Sequence, residues 1–213
     1  MEVGRKIRVL IHCPIGFWQP KSYENIMNLD TSDLEVDIFF TVSNPIDPSY
    51  NMKGIETNPR WRYNIAYKMN KAREIVLNED YDYLFNVEHD MIIPENALKK
   101  LIDYIDYNTV VGGLYRCRKI RNPKNPLCFH IKLPDGRGVW VDDNYIEGKE
   151  KIEVYVIPFG CTLIGREVLE QVEFDPGIDG TFASKTDNLG IKKYIITSVI
   201  CGHIDRDGII YYP

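Results

Sequence analysis

The sequence has no CxxC pair, no long apolar run and no excess of positive charge, and each absence excludes a class of protein. Its five cysteines lie far apart, which argues against a zinc ribbon and a disulfide framework. No stretch reaches the roughly 20 apolar residues of a membrane span, and the N-terminus passes from charged residues into a short strand without a cleavage site. Lys and Arg total 26 against 31 Asp and Glu, which excludes nucleic-acid binding through bulk positive charge. We therefore expect a cytoplasmic protein with buried thiols.

The composition indicates a folded domain. Hydrophobic residues make up 44% of the 213 residues and charged residues 27%, which is enough apolar material for a core of native size and excludes a disordered chain. A chain of this length suits one domain better than two. We therefore expect a single domain over residues 1–213, with a first half (1–115) and a second half (116–213) of different character.

The first half alternates strands with helices. Runs rich in β-branched and aromatic residues predict strands at 7–12, 34–42, 81–87 and 109–115. Helices are predicted between them: a short one around 22–29, one over 59–78 and one that begins at Pro94. This alternation is typical of an α/β fold, with a mostly parallel, Rossmann-like sheet and helices on both faces. Ligands of such sheets bind at the carboxyl ends of the strands.

The helix over 59–78 has one apolar stripe. Its members recur at spacings of three and four residues, and they are Trp61, Ile65, Met69, Ala72 and Val76. We expect this stripe to face the core. The basic residues of the helix lie off the stripe: Arg62, Lys68, Lys71 and Arg73.

The second half has a different pattern. Residues 116–157 hold several Pro and Gly residues and short alternating segments, which predict antiparallel hairpins rather than crossovers. Two helices are predicted after them, at 166–172 and at about 180–189. The second should end at Gly190 in a left-handed conformation. We expect a smaller antiparallel region beside the main sheet.

A pair of carboxylates follows the strand at 81–87. In an extended chain Glu88 and Asp90 share one face, and both can reach one hard divalent cation. Mg²⁺ or Mn²⁺ held by one or two protein carboxylates completes its coordination with water and ligand phosphates. At the carboxyl end of a strand the pair therefore predicts a metal site that serves a nucleoside diphosphate. The alternative is a solvated turn.

The segments around this pair resemble one enzyme family. In chain order they are YDYLFNVEHDMIIPENALKKLI, VVGGLY, PFGCTLIGREVLEQV, GIDGTFASKTDNLG and CGH. Their order and spacing, over about residues 7–204, are similar to those of inverting, family-2-like glycosyltransferases of the GT-A fold. The resemblance implies that Glu88 and Asp90 form the DxD motif that holds the metal on the donor diphosphate, here with Glu in the first position. It also implies a nucleotide-sugar-binding half at 1–115 and an acceptor-side, metal-completing half at 116–213.

The resemblance also assigns a role to a histidine near the C-terminus. His203, in the segment CGH, falls where many of these enzymes have a late histidine that joins the metal. An imidazole ligand suits Mn²⁺ better than Mg²⁺. A histidine bonded to a backbone carbonyl is the alternative, and Asp205 or Asp207 can substitute as ligand.

A general base is implied in the same way. Asp179 takes the place of the aspartate that accepts the proton of the acceptor hydroxyl in this family. The preceding residue is Ile178, where the family usually has Glu. Asp179 also stands just before a predicted helix, where an Asp is a good N-cap. Asp175 is the nearest alternative base.

The donor is expected near the end of the first strand. The resemblance assigns it Cys13 and Pro14, together with His89 and with Arg62 and Arg73 on the helix before the carboxylate pair. A structural or exposed role is the alternative for His89, and a solvated helix face is the alternative for the two arginines. The donor is expected to be of the UDP or GDP type, and the base is left open because the second strand ends without an acidic residue.

The acceptor side is expected in the second half. Gly160, in the segment PFGC, allows a sugar or acceptor to approach closely because it has no side chain. Between Asp106 and Asp135 there is no acid, and Arg116 begins a run of basic residues over 116–132. Such a run suits an anionic acceptor, a lipid phosphate or an anionic membrane surface, and a solvated loop is the alternative.

These observations together predict a metal-dependent glycosyltransferase that uses Mn²⁺ or Mg²⁺. It would move a sugar from a nucleotide-diphosphate donor to a hydroxyl of a saccharide, protein or lipid-linked acceptor, with inversion. One alternative is a non-catalytic nucleotide- or sugar-binding protein on the same scaffold. A sugar-phosphate nucleotidyltransferase is disfavoured, because CPIGFWQP follows the first strand where those enzymes have a glycine-rich, arginine-containing loop.

Overall fold

A computed structural model describes residues 5–16, 19–45, 60–118, 124–205 and 207–213 of the chain. Its strands are β1 (Arg8–Pro14), β2 (Glu35–Thr41), β3 (Tyr83–Val87), β4 (Met91–Ile92), β5 (Thr109–Leu114), β6 (His130–Lys132), β7 (Gly138–Trp140), β8 (Lys151–Glu153), β9 (Cys161–Gly165), β10 (Lys192–Ile200), β11 (Gly202–Ile204) and β12 (Ile210–Tyr211). Its helices are α1 (Pro20–Met27), α2 (Arg60–Asn78), α3 (Ala97–Ile102), α4 (Asp143–Ile146), α5 (Arg166–Gln171) and α6 (Asp179–Asn188).

A seven-stranded sheet forms the centre of the fold, in the order β2-β1-β3-β9-β5-β10-β8. β1 runs parallel to both β2 and β3, and β10 runs parallel to β5. β9 is antiparallel to β3 and β5, and β8 is antiparallel to β10. All strands except β8 and β9 therefore run in one direction. This confirms the predicted α/β class with a mostly parallel sheet, consistent with a GT-A-like fold.

The sheet has a hydrophobic core on each face, because successive side chains of a strand point to opposite sides. On one face Leu10 and Leu84 pack with apolar residues of α2, α5 and α6. On the other face Val9 and Phe85 pack with residues of α1 and α3. β9, at the centre of the sheet, is buried along its whole length. The sequence pattern did not predict this strand, because Thr162 and Gly165 break up its apolar run.

The predicted burial of α2 is confirmed for three residues of its apolar stripe and wrong for Trp61 and Lys68. Met69, Ala72 and Val76 are fully buried, whereas Trp61 is 43% exposed. Lys68 was expected off the stripe and is instead 1% exposed. The helix packs against β1, and the ammonium of Lys68 donates a hydrogen bond to the carbonyl of Ile15, the residue after that strand.

The other predicted helices are present with shifted ends. α3 begins at Ala97 rather than at Pro94, whose carbonyl accepts a hydrogen bond from the Ala97 N–H at 2.9 Å. Gly190 follows α6 with a φ of +70°, as the left-handed cap requires. The N-cap of α6 is Ile178, so the N-cap predicted at Asp179 is wrong, and Asp179 is the first residue of the helix.

The antiparallel region of the second half is confirmed in part. β6 and β7 form a separate hairpin. β8 joins the edge of the main sheet. A second small sheet has the order β12-β11-β4, and its β4 comes from the first half of the chain. The pairing of β4 with β11 determines the geometry of the site described below.

The cysteines, which are far apart in sequence, form two pairs in space. The thiol of Cys117 is hydrogen-bonded to that of Cys128, and the thiol of Cys161 to that of Cys201. These bonds, together with burial, raise the pKa of Cys128 and of Cys201 well above the ordinary thiol value. None of the helices within the described ranges is both long enough and apolar enough to cross a membrane.

Candidate functional site

A buried polar network holds the carboxyl ends of β1, β2 and β3 together. The ring of His12 contacts Asn86 Oδ1 through Nδ1, at 2.8 Å, and Thr41 Oγ1 through Nε2. The amide nitrogen of Asn86 donates in turn to the carbonyl of Phe159 at 2.6 Å. Burial lowers the pKa of His12 to about 4, so the ring is neutral. These contacts give His12 a structural role.

The carboxylate pair lies in a turn directly after β3. The Met91 N–H donates to the Glu88 carbonyl at 3.1 Å, so the chain reverses here and is not extended as the sequence prediction assumed. The reversal occurs because β4 must run back to pair with β11. Glu88 remains half-buried and Asp90 is 2% exposed. Both side chains still contribute to one electrostatic cluster, since the charge of Asp90 affects the pKa of Glu88.

The pairing of β4 with β11 brings His203 to Asp90. In that register His203 lies opposite Met91, the residue after Asp90. The Nε2 atom of His203 is 3.6 Å from Asp90 Oδ2. His203 Nδ1 is 2.8 Å from the carbonyl oxygen of Arg116. A carbonyl only accepts, so Nδ1 bears the hydrogen, and in the neutral ring the lone pair of Nε2 is left on the side of Asp90.

Arg118 contacts the same carboxylate. Its Nη1 atom is 2.9 Å from Asp90 Oδ2, and its side chain is 14% exposed. Asp90 Oδ2 is therefore approached by a guanidinium and by an imidazole, while Asp90 Oδ1 is buried with no hydrogen-bond partner among the described residues. In the sequence, Arg118 is only one residue of the basic run over 116–132, and nothing near it in the chain indicates that it pairs with a buried carboxylate.

The cluster shifts the pKa values of its two carboxyl groups, Glu88 and Asp90, in opposite directions. Burial, with the negative charges of Asp90 and Asp179, raises the pKa of Glu88 to about 7. Burial acts in the same direction on Asp90, but the contact with His203 and the charge of Arg118 outweigh it and lower that pKa to about 2. The contact with Asp90 likewise raises the pKa of His203 against the effect of burial. Perturbed pKa values of this kind are concentrated at functional sites.

Asp179 joins the cluster from the first turn of α6. Its charge contributes to the raised pKa of Glu88 and to that of Tyr115. The residue before it, Ile178, has a φ of +45°, which is strained for a β-branched side chain. Ile178 is buried in the core and its carbonyl accepts from the Phe182 N–H, so packing and helix hydrogen bonding hold the strained conformation.

The donor atoms at this site fit a divalent cation in part. Two potential ligand atoms, Asp90 Oδ1 and His203 Nε2, are buried and have no hydrogen-bond partner in the described parts of the chain. A carboxylate oxygen and an imidazole nitrogen are ligands that Mn²⁺ accepts. Within residues 5–16, 19–45, 60–118, 124–205 and 207–213, however, no three His, Cys, Asp or Glu side chains are grouped closely enough to hold a metal by themselves. A cation here would rely on ligand phosphates and water for the remainder of its coordination.

The backbone of Gly160 is hydrogen-bonded to two residues at the cluster, Tyr115 and Glu88. Its N–H donates to the hydroxyl of Tyr115 at 2.8 Å, and its carbonyl accepts from the Glu88 N–H at 3.0 Å. A Cβ atom at this position would lie 2.4 Å from the Tyr115 hydroxyl oxygen and 2.9 Å from the sulfur of Met91. The absent side chain is thus required by protein packing. An acceptor contact at Gly160 stays a prediction.

Gly160→Ala should therefore destabilise the protein. The added methyl group must displace the Tyr115 ring, and overpacking of this kind costs about 1–3 kcal/mol. Chemical denaturation should show a lower midpoint for Gly160→Ala than for the wild type. Gly180→Ala is the matched control, because a Cβ there meets nothing within 4 Å. Equal stability of the Gly160→Ala variant and the wild type would contradict the packing role.

A small cleft opens beside the end of β1. It is lined by Cys13, Ile15, Gln19, Ser22, Tyr23, Phe40 and His89. The rings of Tyr23 and Phe40 lie 5.6 Å apart on one wall. His89 Nδ1 lies 3.2 Å from the carbonyl of Pro14. The structure thus brings together three of the predicted donor residues: Cys13, Pro14 and His89.

Lys68 adds a positive charge to the same strand end. Its positive charge acts on the pKa of Cys13 and of His89. Burial lowers the pKa of Lys68. No carboxylate is ion-paired with it among the described residues. The burial of Lys68 was not predicted, because a lysine on an amphipathic helix gives the same sequence pattern whether its ammonium is solvated or buried.

The three arginines predicted to bind donor or acceptor, Arg62, Arg73 and Arg116, contact other groups of the protein. Arg73 donates to the Leu169 carbonyl of α5 at 2.6 Å. Arg62 lies over the ring of Trp61, 5.4 Å from its centroid. The guanidinium of Arg116 bonds to both carboxylate oxygens of Asp143 at 2.6 Å. Their donor and acceptor roles stay predictions.

The basic run over 116–132 is partly neutralised in the fold. Arg116 is paired with Asp143, and Arg118 with Asp90. Lys132 forms an ion pair with Asp187 at 2.6 Å. Lys119 and Arg121 lie outside the described residues. The structure therefore shows less uncompensated positive charge here than the sequence run suggests.

Comparison with known proteins identifies no family. No protein-family model matches the chain, and no curated protein matches it. Among solved structures, the chain is similar to A197 from STIV, with 19% identity, a TM-score of 0.59, and coverage of 97% of this chain and 94% of that one. At this identity the likeness shows the fold alone.

Two other solved structures are similar at lower scores. One is a glycosyltransferase involved in the glycosylation of the major capsid of PBCV-1, with 8% identity, a TM-score of 0.37, and coverage of 77% of this chain and 62% of that one. The other is S. aureus TarS, with 15% identity, a TM-score of 0.47, and coverage of 97% of this chain and 36% of that one. This chain therefore spans less than two thirds of either protein.

Proposed function

We propose that the protein is a glycosyltransferase that moves a sugar from a nucleoside-diphosphate donor to an acceptor hydroxyl with the help of Mn²⁺ or Mg²⁺. The observation that supports this best is the cluster at the carboxyl end of β3. Glu88, Asp90 and His203, which the family resemblance implies as the metal site, contribute to one buried cluster, and the implied base Asp179 acts on it too. Asp179 and His203 lie far in sequence from Glu88 and Asp90, so their action on the same cluster supports the proposal independently of the motif.

Asp90 and His203 would hold the cation, with Glu88 beside them. When bound, a divalent cation supplies positive charge that stabilises the leaving diphosphate as the glycosidic bond breaks. The chain's own residues prepare the site. The Arg116 carbonyl orients the ring of His203, and the Gly160 carbonyl holds the backbone of Glu88. In such arrangements the outer partners tune the ligands.

Asp179 would accept the proton of the acceptor hydroxyl at its carboxylate. The hydroxyl becomes more acidic as it attacks the anomeric carbon, so an ordinary carboxylate is sufficient as the base. A base on the side of the sugar opposite the diphosphate would give inversion. In this proposal the cleft beside β1 takes the donor nucleoside, through Cys13, Pro14 and His89. The acceptor is a saccharide, protein or lipid-linked hydroxyl, and a cytoplasmic location belongs to the same proposal.

A ligand panel tests the proposal. UDP, GDP, CDP, ADP and their sugar conjugates are each added with Mn²⁺, Mg²⁺ or a chelator, and the melting temperature is measured. A ligand at about 100 times its Kd adds about 2.7 kcal/mol of stability, or roughly 5–10 °C for a chain of this size. We expect one diphosphate to raise the melting temperature, and only with metal. No shift under any condition would contradict the proposal.

A non-catalytic nucleotide- or sugar-binding protein is the second candidate, because both departures from the family pattern, Glu88 and Ile178, lie at the site. Turnover separates the two candidates. A transferase releases free nucleoside diphosphate from its sugar conjugate, whereas a binding protein gives the same thermal shift without release.

A further inference from the structure

Several buried polar atoms at the site lack hydrogen-bond partners among the described residues, and they include both acceptors and a donor. Three buried atoms of the cluster have no hydrogen-bond partner among the described residues: Asp90 Oδ1, His203 Nε2 and Arg118 Nε. Asp90 Oδ1 offers lone pairs and Arg118 Nε is an N–H donor. His203 Nε2, 3.6 Å from Asp90 Oδ2, offers a lone pair to a cation only in the neutral form of the ring. Buried polar groups are nearly always satisfied, so unpaired atoms grouped in one place point to a missing ligand.

The atoms cannot satisfy one another in this arrangement. Arg118 already approaches Asp90 through Nη1, at 2.9 Å from Oδ2, and its Nε is buried without an acceptor. A cation alone would use the two lone pairs and leave the Arg118 N–H unpaired. A phosphate alone would accept from Arg118 and leave the two lone pairs unpaired. A divalent cation bound together with a phosphate group satisfies all three atoms.

We propose that Arg118 is a diphosphate-binding residue, whose Nε–H donates to a phosphate oxygen of the metal-bound donor. This inference rests on the proposed function and adds a residue that the family resemblance did not assign. Guanidinium groups suit this role because they keep their charge when buried and offer several N–H donors in a fixed plane. Asp90 would then have two roles: Oδ2 holds the arginine in place, and Oδ1 faces the cation.

Arg118 is also well placed to act with the cation on the leaving group. It comes directly after Cys117, whose N–H bonds to the Pro126 carbonyl at 2.9 Å. The Arg116 carbonyl, two residues earlier, orients His203. The segment from Arg116 to Arg118 therefore supplies a guanidinium to the cluster and orients the imidazole of His203, which would face the cation. The diphosphate would lie between them.

The test uses inorganic pyrophosphate and Mn²⁺ on the whole chain. Calorimetry measures Mn²⁺-pyrophosphate binding to the wild type, Arg118→Gln, Arg118→Lys and the control Arg137→Gln, which removes an exposed arginine of the hairpin turn. Binding of Mn²⁺ alone is followed by its paramagnetic resonance signal. We expect Arg118→Gln to weaken pyrophosphate binding by at least about 10-fold, the effect of one charge-assisted hydrogen bond, without weakening Mn²⁺ binding. Arg137→Gln should match the wild type.

Several outcomes would overturn the inference. The first is a pyrophosphate affinity of Arg118→Gln within twofold of the wild type. The second is an equal loss of Mn²⁺ affinity in Arg118→Gln, which would mean that Arg118 only holds Asp90 in place. The third is that the wild type does not bind Mn²⁺-pyrophosphate. If Arg118→Gln does not fold, Arg118→Lys decides. It keeps a positive charge near Asp90 and should bind Mn²⁺ normally but pyrophosphate more weakly, and unchanged pyrophosphate binding would count against the inference.

The same titrations separate this inference from the proposed function. UDP, GDP, CDP and ADP are titrated in parallel with pyrophosphate. If pyrophosphate binds through Arg118 but no nucleoside diphosphate does, the role of Arg118 holds and the nucleotide-sugar proposal fails. If a nucleoside diphosphate binds with metal and Arg118→Gln leaves its affinity unchanged, the proposed function stands and the role of Arg118 is wrong.

Discussion

Asp90→Asn should abolish metal-dependent diphosphate binding and also lower the stability of the fold. The amide keeps the size of the side chain but removes the negative charge that lies between Arg118 and His203. Replacing a ligand should weaken Mn²⁺ binding by at least about 100-fold, since even outer-shell changes cost 10- to 100-fold. The guanidinium of Arg118 would remain buried without its carboxylate, and loss of one partner of a buried pair costs about 3–5 kcal/mol.

Two measurements check this expectation. Mn²⁺ binding is followed by paramagnetic resonance, and the free energy of unfolding by urea denaturation. Asp33→Asn is the matched control, because the side chain of Asp33 is 85% exposed and its ion pair with Lys99 is at the surface. That control should lose at most about 1 kcal/mol and no metal binding. An Asp90→Asn variant with wild-type stability and normal metal binding would disprove the assignment of Asp90 to the centre of the site.

Asp179→Asn should leave donor binding intact and suppress sugar transfer. An amide cannot accept the proton of the acceptor hydroxyl, and the loss of a positioned base typically costs about 10²- to 10⁴-fold in rate. The substitution also removes one of the negative charges that raise the pKa of Glu88, so that pKa should fall from its value of about 7. The second effect gives a readout that does not depend on activity.

The experiment compares transfer rate, diphosphate affinity and the titration of Glu88 by carbon-detected NMR. Asp187→Asn is the control on the same helix, since Asp187 is ion-paired with Lys132 at the far end of α6. Asp175→Asn tests the alternative base, which is ion-paired with Lys185 at 2.7 Å. Near-normal transfer by Asp179→Asn would remove Asp179 as the base, and a selective loss in Asp175→Asn would assign the role there.

Local patterns predicted most of the elements correctly. β1, β2, β3 and β5 each form a short β-branched or aromatic run, and α2 repeats its apolar residues every three or four positions. These patterns arise because one face of each element must be apolar to pack on the sheet. They fail for β9, where Thr162 and Gly165 break up the apolar run, and for β4, which has only two residues.

The candidate site was predictable only in part. The place of Glu88 and Asp90 followed from the strand before them, since ligand sites of α/β sheets lie at carboxyl ends. Their turn conformation did not follow, because it depends on β4 pairing with a strand more than 100 residues away. Lys68 and Arg118 show the same limit. Each has a charged side chain that reads as solvated in sequence, and only its tertiary neighbours make it buried.

By itself, the sequence determined the α/β class, the order of its elements and the strand end at which a carboxylate pair would lie. The reason is that propensity and apolar periodicity act between residues close in the chain. The tertiary structure alone decided that His203 faces Asp90, that Arg118 completes the cluster and that Asp179 contributes its charge to Glu88. Those contacts join segments far apart in the chain, and they form only when the two cores and the small β4–β11 sheet pack together.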